Sequence, residues 1–130
     1  MLARLFPAPA VIVDATLETL GIIRARADAI RGLASALIAD PDLFNRLRGL
    51  DHAVSELKRL PGIGEWTAQY VAMRALGEAD AFPASDLGLL RAYARLSGRS
   101  VTPSELLSIA EPWRPYRAYA AMALWLSESI

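Results

Sequence analysis

The sequence contains no cysteine, only one histidine and no excess of either charge. Without cysteine the chain can form no disulfide, no thiolate zinc site and no cysteine-held iron–sulfur cluster, which suits a reducing compartment. The single histidine, His52, cannot form a histidine metal cluster. The 14 basic and 14 acidic residues give a formal net charge of zero, so no overall field attracts a polyanion. A nucleic-acid partner would have to be recognised locally.

Long apolar runs are also missing. The longest run near the end, at 118–126, is too short to span a bilayer, and Pro7 and Pro9 stand where a signal peptide would have its apolar region. We therefore expect an intracellular, cytoplasmic protein. With 130 residues, of which 54% are hydrophobic and 22% charged, the chain suits one domain with a modest core, covering 1–130.

The apolar residues that are present recur at helical spacing, and no segment shows the alternation of a strand. This pattern predicts an all-α fold of seven or eight short helices. Thr102 and Glu105 form a capping-box pattern with Pro103 at the first helical position. In the last helix, Ala118, Met122 and Trp125 fall on one stripe. The predicted helices are a short turn that ends at position 20, before Gly21, and longer segments at 24–39, 41–47, 54–59, 65–76, 87–96, 103–110 and 115–128.

A glycine-rich turn stands between two of these helices. Positions 60–68 read Leu-Pro-Gly-Ile-Gly-Glu-Trp-Thr-Ala, and we predict a helix–hairpin–helix over about 53–76. Gly62 can take the positive φ of a tight reversal, while Gly64 leaves the first amides of the next helix uncovered. Such amides, together with the helix dipole, favour a phosphate. The alternative is an ordinary αα-corner whose glycines serve backbone geometry alone.

Asp86 follows a Phe-Pro loop and stands at the predicted start of a helix, where it could simply be the N-cap. Trp66 and Tyr70 are four residues apart, so their rings share one helix face, and Trp125 is a third candidate. A carboxylate beside aromatic rings suits an enzyme that takes a flipped, electron-poor base and stabilises a sugar cation. The alternative is that these aromatic residues belong to the core.

Three segments together resemble the HhH-GPD superfamily of DNA glycosylases, and in particular the 3-methyladenine DNA glycosylase II family of the AlkA type. They are the turn at 60–68, the loop at 82–86 and the segment Trp-Arg-Pro-Tyr-Arg at 113–117. The resemblance extends over nearly the whole chain. It implies a multi-helix bundle and an enzyme of base excision repair that removes 3-methyladenine-like alkylated bases from double-stranded DNA.

The resemblance also implies roles for individual residues. Asp86 matches the essential aspartate of the family, and the base pocket would be formed by Trp66, Tyr70 and Trp125. Bifunctional relatives carry a lysine where this chain has Trp66, and tryptophan has no amine for a Schiff base, so the enzyme is expected to be monofunctional. The remaining implied residues lie in the hairpin: Gly62, Gly64 and Thr67 for a DNA phosphate, and the main-chain carbonyls of Lys58, Leu60 and Ile63 for a structural Na⁺ or K⁺. No cofactor is required.

The family has a further domain and additional helices upstream of the point that corresponds to the start of this sequence. We therefore expect these residues to be the C-terminal part of a longer glycosylase, with self-association or low stability as a consequence.

Two other classes of protein stay open. A non-catalytic helix–hairpin–helix module would bind DNA without needing Asp86, and a helical protein-interaction domain would bind no DNA.

Overall fold

The computed structural model describes residues 3–45 and 48–128, and all the regular structure in these ranges is helical. The predicted all-α fold is therefore confirmed. Seven α-helices are described, joined by short loops and two short 3₁₀ segments at Leu17–Leu20 and Glu111–Trp113. The α-helices are α1 (Pro9–Val13), α2 (Arg24–Ala39), α3 (Gly49–Arg59), α4 (Glu65–Arg74), α5 (Leu87–Ser97), α6 (Pro103–Ile109) and α7 (Arg117–Glu128).

The N-terminal part pairs α1 with α2. Helix α2 has the predicted bounds and buries Ala27 and Ala34, while Ile30, which recurs with them at helical spacing, is 38% exposed. Helix α1 was not predicted. This helix begins at Pro9. Proline suits the first turn of a helix, because the N–H that it lacks would have no hydrogen-bond partner within the helix there.

The central hairpin consists of α3 and α4, which pack against each other and bury Leu57, Ala68 and Ala72. Helix α3 begins at Gly49, five residues before the predicted start at 54, so Asp51 lies in its first turn. Helix α4 ends at Arg74, two residues before the predicted end. The predicted helix over 41–47 is wrong for its first part, which forms a turn at 41–44, and its positions 46 and 47 lie outside the described residues.

Helices α5, α6 and α7 form the C-terminal part of the fold, in which α5 packs on α7. The capping box of α6 is confirmed: Thr102 accepts from the Glu105 amide at 3.2 Å, and Glu105 accepts from the Thr102 amide at 2.7 Å. In α7 the prediction of the buried stripe was partly wrong. Ala118, Ala121 and Leu124 are buried, while Met122 is 40% exposed.

Helix α7 is fastened to the loop before α5 by a buried ion pair. Arg117, which is 5% exposed, donates from Nε and Nη2 to the two carboxylate oxygens of Asp80 at 2.8 and 2.9 Å. The Ala118 amide also donates to the carbonyl of Ala79 at 2.9 Å. These bonds fix where α7 begins, and hence where Trp125 lies.

Several large apolar side chains lie on the surface, among them Leu5, Phe6, Tyr116, Tyr119 and Leu126. Such surface is what the expected self-association would need, and that expectation stays a prediction. In the described ranges, no helix is long and apolar enough to cross a membrane.

Candidate active site

Asp86 is both a helix cap and the centre of the site. Its backbone has an extended conformation, and its Oδ1 accepts the amide N–H of Leu89 at 2.9 Å, which satisfies one free donor at the start of α5. The cap fixes the side-chain rotamer of Asp86. The carboxylate is therefore held in one place before any ligand arrives.

Two indole rings approach this carboxylate from different helices. Trp66, in the first turn of α4, donates from Nε1 to Oδ2 of Asp86 at 2.9 Å. Trp125, near the end of α7, donates from Nε1 to Oδ1 at 2.8 Å. Each carboxylate oxygen thus receives an indole N–H. Both donors are neutral, so they leave the negative charge of Asp86 in place.

The aromatic rings also contact one another. Trp66 and Tyr70 stack with centroids 5.1 Å apart and planes 13° from parallel. Tyr70 meets Trp125 edge to face at 6.0 Å and 62°. Trp66 and Tyr70 remain 39% and 36% exposed, so ring surface is available next to the carboxylate. The structure brings together all four residues that the sequence singled out for catalysis and base binding.

The charged form of Asp86 is favoured. Partial burial by itself raises the pKa of this carboxyl, but the hydrogen bonds from Trp125, the Leu89 amide, Trp66 and the Gly88 amide outweigh burial and lower the pKa below its ordinary value of 3.8. Asp86 is consequently ionised at neutral pH. The arrangement can stabilise a positive charge that develops close to the carboxylate.

Sequence reasoning missed Gln69, which supports the loop that carries Asp86. Its Oε1 accepts the amide N–H of Phe82 at 3.0 Å, and its Nε2 donates to Glu65 at 3.0 Å. Lys58 donates in turn to Glu65, linking this loop to the end of α3. The sequence does place Gln69 three residues after Trp66 in α4. Residues at that spacing are neighbours on a helix surface, which could have indicated that Gln69 lies near the site.

The hairpin turn has the geometry that favours an anion. Gly62 has φ +84°, and a Cβ at that position would lie 3.1 Å from the Cβ of Ala29 in α2, so glycine is required. Gly64 precedes α4 in an extended conformation, and among the described residues no side chain caps this helix start. Thr67 lies in the first turn of α4 and, together with Ile63, lines a groove of about 430 Å³ facing α2. In the described part of the chain, the start of α4 therefore has no side-chain cap.

The carbonyls expected to bind a monovalent cation lie where α3 ends and the turn begins. Helix α3 ends at Arg59, which places the Lys58 carbonyl in the last turn, where carbonyls lack intrahelical partners. The Leu60 carbonyl accepts the Ile63 amide at 3.2 Å and keeps a second lone pair. These carbonyls are hard oxygen ligands of the kind that Na⁺ and K⁺ accept. Within 3–45 and 48–128, no cluster of His, Cys, Asp and Glu could bind a metal ion.

Comparison with known proteins gives matches over nearly the whole chain. The "Probable bifunctional transcriptional activator/DNA repair enzyme AlkA" of Mycobacterium tuberculosis is 36% identical over 124 residues, which is 95% of this chain and 25% of that protein. The DNA-3-methyladenine glycosylase 2 of Escherichia coli is 31% identical over 95% of this chain and 43% of its own length. No protein-family model matches the sequence.

Two solved structures with a similar fold are glycosylases as well. A Schizosaccharomyces pombe 3-methyladenine DNA glycosylase in complex with abasic DNA superimposes with a TM-score of 0.83 at 26% identity, covering 96% of this chain and 65% of that one. The 3-methyladenine DNA glycosylase of Archaeoglobus fulgidus gives a TM-score of 0.80 at 30% identity, covering 96% and 44%.

An all-helical bundle with this hairpin is the fold of the HhH-GPD superfamily of DNA glycosylases, which the solved structures above share with this chain. Within that superfamily its relatives are 3-methyladenine DNA glycosylases of the AlkA type. The chain spans 25% and 43% of the length of the two curated relatives described above.

Proposed function

We propose that this chain forms the catalytic part of a monofunctional DNA glycosylase that removes alkylated, 3-methyladenine-like bases from double-stranded DNA in base excision repair. The observation that supports this most directly is the Asp86 carboxylate, held by two indole N–H groups beside the exposed Trp66–Tyr70 stack. A DNA substrate would place the protein in the cytoplasm, associated with DNA.

The charge of the substrate explains why one carboxylate is sufficient. Alkylation at N3 of adenine or N7 of guanine makes the base cationic. When the N-glycosidic bond breaks, its electron pair moves to the base, which leaves as a neutral molecule without protonation by an acid. Positive charge then develops on the sugar, where a fixed, ionised carboxylate stabilises it. Water adds to the sugar carbon and its proton passes to solvent.

Asp86 suits this electrostatic task because its position and its charge are both fixed in advance. Two indoles and the Leu89 amide hold its oxygens, so it does not need to reorganise as the sugar cation forms. The same bonds lower its pKa, which makes it a weak base for activating water. We therefore assign to Asp86 the primary role of stabilising the sugar cation, ahead of activating water.

The aromatic residues would bind the flipped base. An electron-poor, cationic ring is attracted to the face of Trp66 or Tyr70 by stacking and cation–π interaction. Trp66 offers no amine, which excludes Schiff-base chemistry at that position and agrees with a monofunctional enzyme.

The hairpin would hold the DNA backbone. The amides around Gly62, Gly64 and Thr67 present a helix N-terminus that suits a phosphate oxygen. The carbonyls of Lys58, Leu60 and Ile63 could hold a Na⁺ or K⁺ that stiffens the turn, with no role for this ion in the chemical step. Because these contacts are to the backbone, binding is expected to be independent of sequence and sensitive to salt.

The test is release of 3-methyladenine and 7-methylguanine from methylated duplex DNA under single-turnover conditions. The chain and its Asp86→Asn variant are compared side by side, and DNA affinity is measured for both. We expect release by the chain, loss of release in the variant and nearly equal affinity. Equal rates would refute the role of Asp86, and DNA binding without release by either protein would indicate a non-catalytic module.

A further inference from the structure

Gly88 is the second residue of α5 and lies two positions after Asp86. Its φ lies outside the left-handed region that Gly98 occupies at the other end of the same helix. The backbone at Gly88 is therefore open to any residue, and glycine weakens a helix relative to alanine. The reason for glycine must lie in the space around it.

A side chain at this position would have no room. An added Cβ would lie 2.9 Å from Oδ1 of Asp86 and 3.3 Å from both Cδ1 and Nε1 of Trp125. Carbon atoms in contact with their neighbours prefer separations of about 3.5–4.0 Å. Two of these three atoms, Oδ1 of Asp86 and Nε1 of Trp125, form the 2.8 Å hydrogen bond between the residues. The third, Cδ1, is the ring carbon bonded to that nitrogen.

Neither neighbour can move away freely. Oδ1 of Asp86 also accepts the Leu89 amide at 2.9 Å, so turning the carboxylate would break the cap of α5. The ring of Trp125 contacts the edge of Tyr70 at 6.0 Å, so shifting the indole would disturb the aromatic cluster. The contrast with Gly32, a helical glycine of α2, is clear, because a Cβ there would meet nothing within 4 Å.

We propose that Gly88 is a positioning residue of the site, whose missing side chain lets the Trp125 indole lie across the start of α5 and donate to Asp86. Its effect on catalysis rests on the proposed glycosylase function, whereas its effect on the indole–carboxylate bond does not. Gly88 touches no reacting atom and acts through the placement of Asp86 and Trp125.

The catalytic consequence follows from geometry. A methyl group at position 88 displaces the carboxylate, the indole or both, and a misplacement of about 1 Å in an active site can cost about a hundredfold in rate. For Gly88→Ala we expect the single-turnover rate of base release to fall by about tenfold to a hundredfold. Affinity for DNA should stay the same, because the hairpin lies on other helices.

The direct test is spectroscopic. The chain has three tryptophans, so a nitrogen-15 correlation spectrum shows three indole N–H signals, which Trp→Phe variants assign. In Gly88→Ala the Trp125 signal should move away from the position typical of a bond to a carboxylate, and the Trp113 signal should stay. Gly32→Ala is the matched control, and it should move none of the three signals and leave base release unchanged.

An unshifted Trp125 signal in Gly88→Ala, or a rate within about twofold of the unmodified chain, would overturn the proposal. A second variant covers the case in which Gly88→Ala does not fold. In a chain that already carries Trp125→Phe, the indole–carboxylate bond is absent, so adding Gly88→Ala has no such bond to disturb and should reduce the rate by a smaller factor. Failure of this double variant to fold, while Trp125→Phe alone folds, would also count against the proposal.

The two proposals fail separately. If the chain releases no base, the glycosylase assignment of this chain fails, but the indole spectrum still decides whether Gly88 sets the Asp86–Trp125 bond. If release is normal and Gly88→Ala changes neither spectrum nor rate, the glycosylase stands and the role of Gly88 is wrong.

Discussion

Asp80 and Asp86 lie on the same connection between α4 and α5, yet their surroundings differ in kind. The Asp80 carboxylate accepts hydrogen bonds from Nε and Nη2 of Arg117 at 2.8 and 2.9 Å, and another from Nη1 of Arg114 at 2.6 Å. Asp86 receives two indole N–H groups and a backbone amide. For both, burial raises the pKa and the partners lower it by more: hydrogen bonds lower the pKa of Asp86, whereas hydrogen bonds and the positive charges of Arg117 and Arg114 lower that of Asp80. Both are therefore ionised at neutral pH.

The difference is the charge of the donors. The guanidinium groups cancel the charge of Asp80, and that carboxylate fastens the beginning of α7 to the loop before α5. Neutral N–H groups stabilise the charge of Asp86 without cancelling it, which leaves a negative charge at the edge of the aromatic cluster. The pKa alone would not separate these aspartates, whereas the kind of partner does.

The largest expected effect distinguishes the two aspartates by activity. Asp86→Asn removes the uncancelled charge and should lower single-turnover base release by about a thousandfold. Asp80→Asn is the matched change, and it should lower the melting temperature and, through a shift of Trp125, reduce the rate of the folded protein by about tenfold at most. Equal losses of rate in the two variants would show that the comparison is wrong.

The next effect concerns stability. Arg117→Met removes the buried partner of Asp80 and should lower the free energy of unfolding by about 3 kcal/mol, measured by urea denaturation. Arg114→Gln changes an arginine that binds the same carboxylate, but its side chain is 48% exposed. Its cost should be at most about 1 kcal/mol. Similar losses for both would mean that burial does not decide the strength of this network.

A smaller effect should follow from removing one neutral donor. Trp66→Phe keeps an aromatic ring but loses the 2.9 Å bond to Asp86, and we expect about a tenfold loss of rate. Trp113→Phe is the control, because Trp113 packs edge to face on Phe82 at 6.0 Å, away from the carboxylate contacts described above. It should affect the melting temperature more than the rate. The reverse pattern would contradict the role of Trp66 as a donor.

The smallest effect is the pH dependence near neutrality. Because the folded pKa of Asp86 lies below the unfolded value, its ionised form adds stability above the unfolded pKa, and this stability is lost as the pH falls through the folded pKa. Catalysis needs the same ionised form of Asp86. The rate of base release should therefore be constant between about pH 7 and pH 5 and decline only at lower pH. In Trp66→Phe the decline should begin at a higher pH. An inflection near neutrality in the unmodified chain would mean that another group controls the rate.

Much of the local structure could be predicted from the sequence. The bounds of α2, the capping box at Thr102 and the N-cap at Asp86 depend on residues within four positions of each other, and all three were confirmed. The start of α3 was placed too late, at 54, because the short-range pattern did not reveal that the turn before Asp51 was already helical.

The composition of the candidate site could be predicted as well, but its geometry could not. The positions of Trp66 and Tyr70 in α4 follow from helical spacing, since residues four apart share a face. The bonds from Trp125 and Trp66 to Asp86, the support of the Phe82 amide by Gln69 and the pairing of Arg117 with Asp80 join residues that are distant in sequence. Nothing in their spacing shows which ring nitrogen or guanidinium faces which oxygen.

The sequence by itself thus determined the helical class, the hairpin and the residues of the candidate site, because periodicity, caps and turns act over a few residues. Only the tertiary structure decided that Asp86 is held by neutral donors and Asp80 by charged ones. The physical reason is that the packing of α7 on α5, fixed by Arg117, sets where Trp125 points. That packing also explains the glycine at position 88, which lies where the indole crosses the helix start.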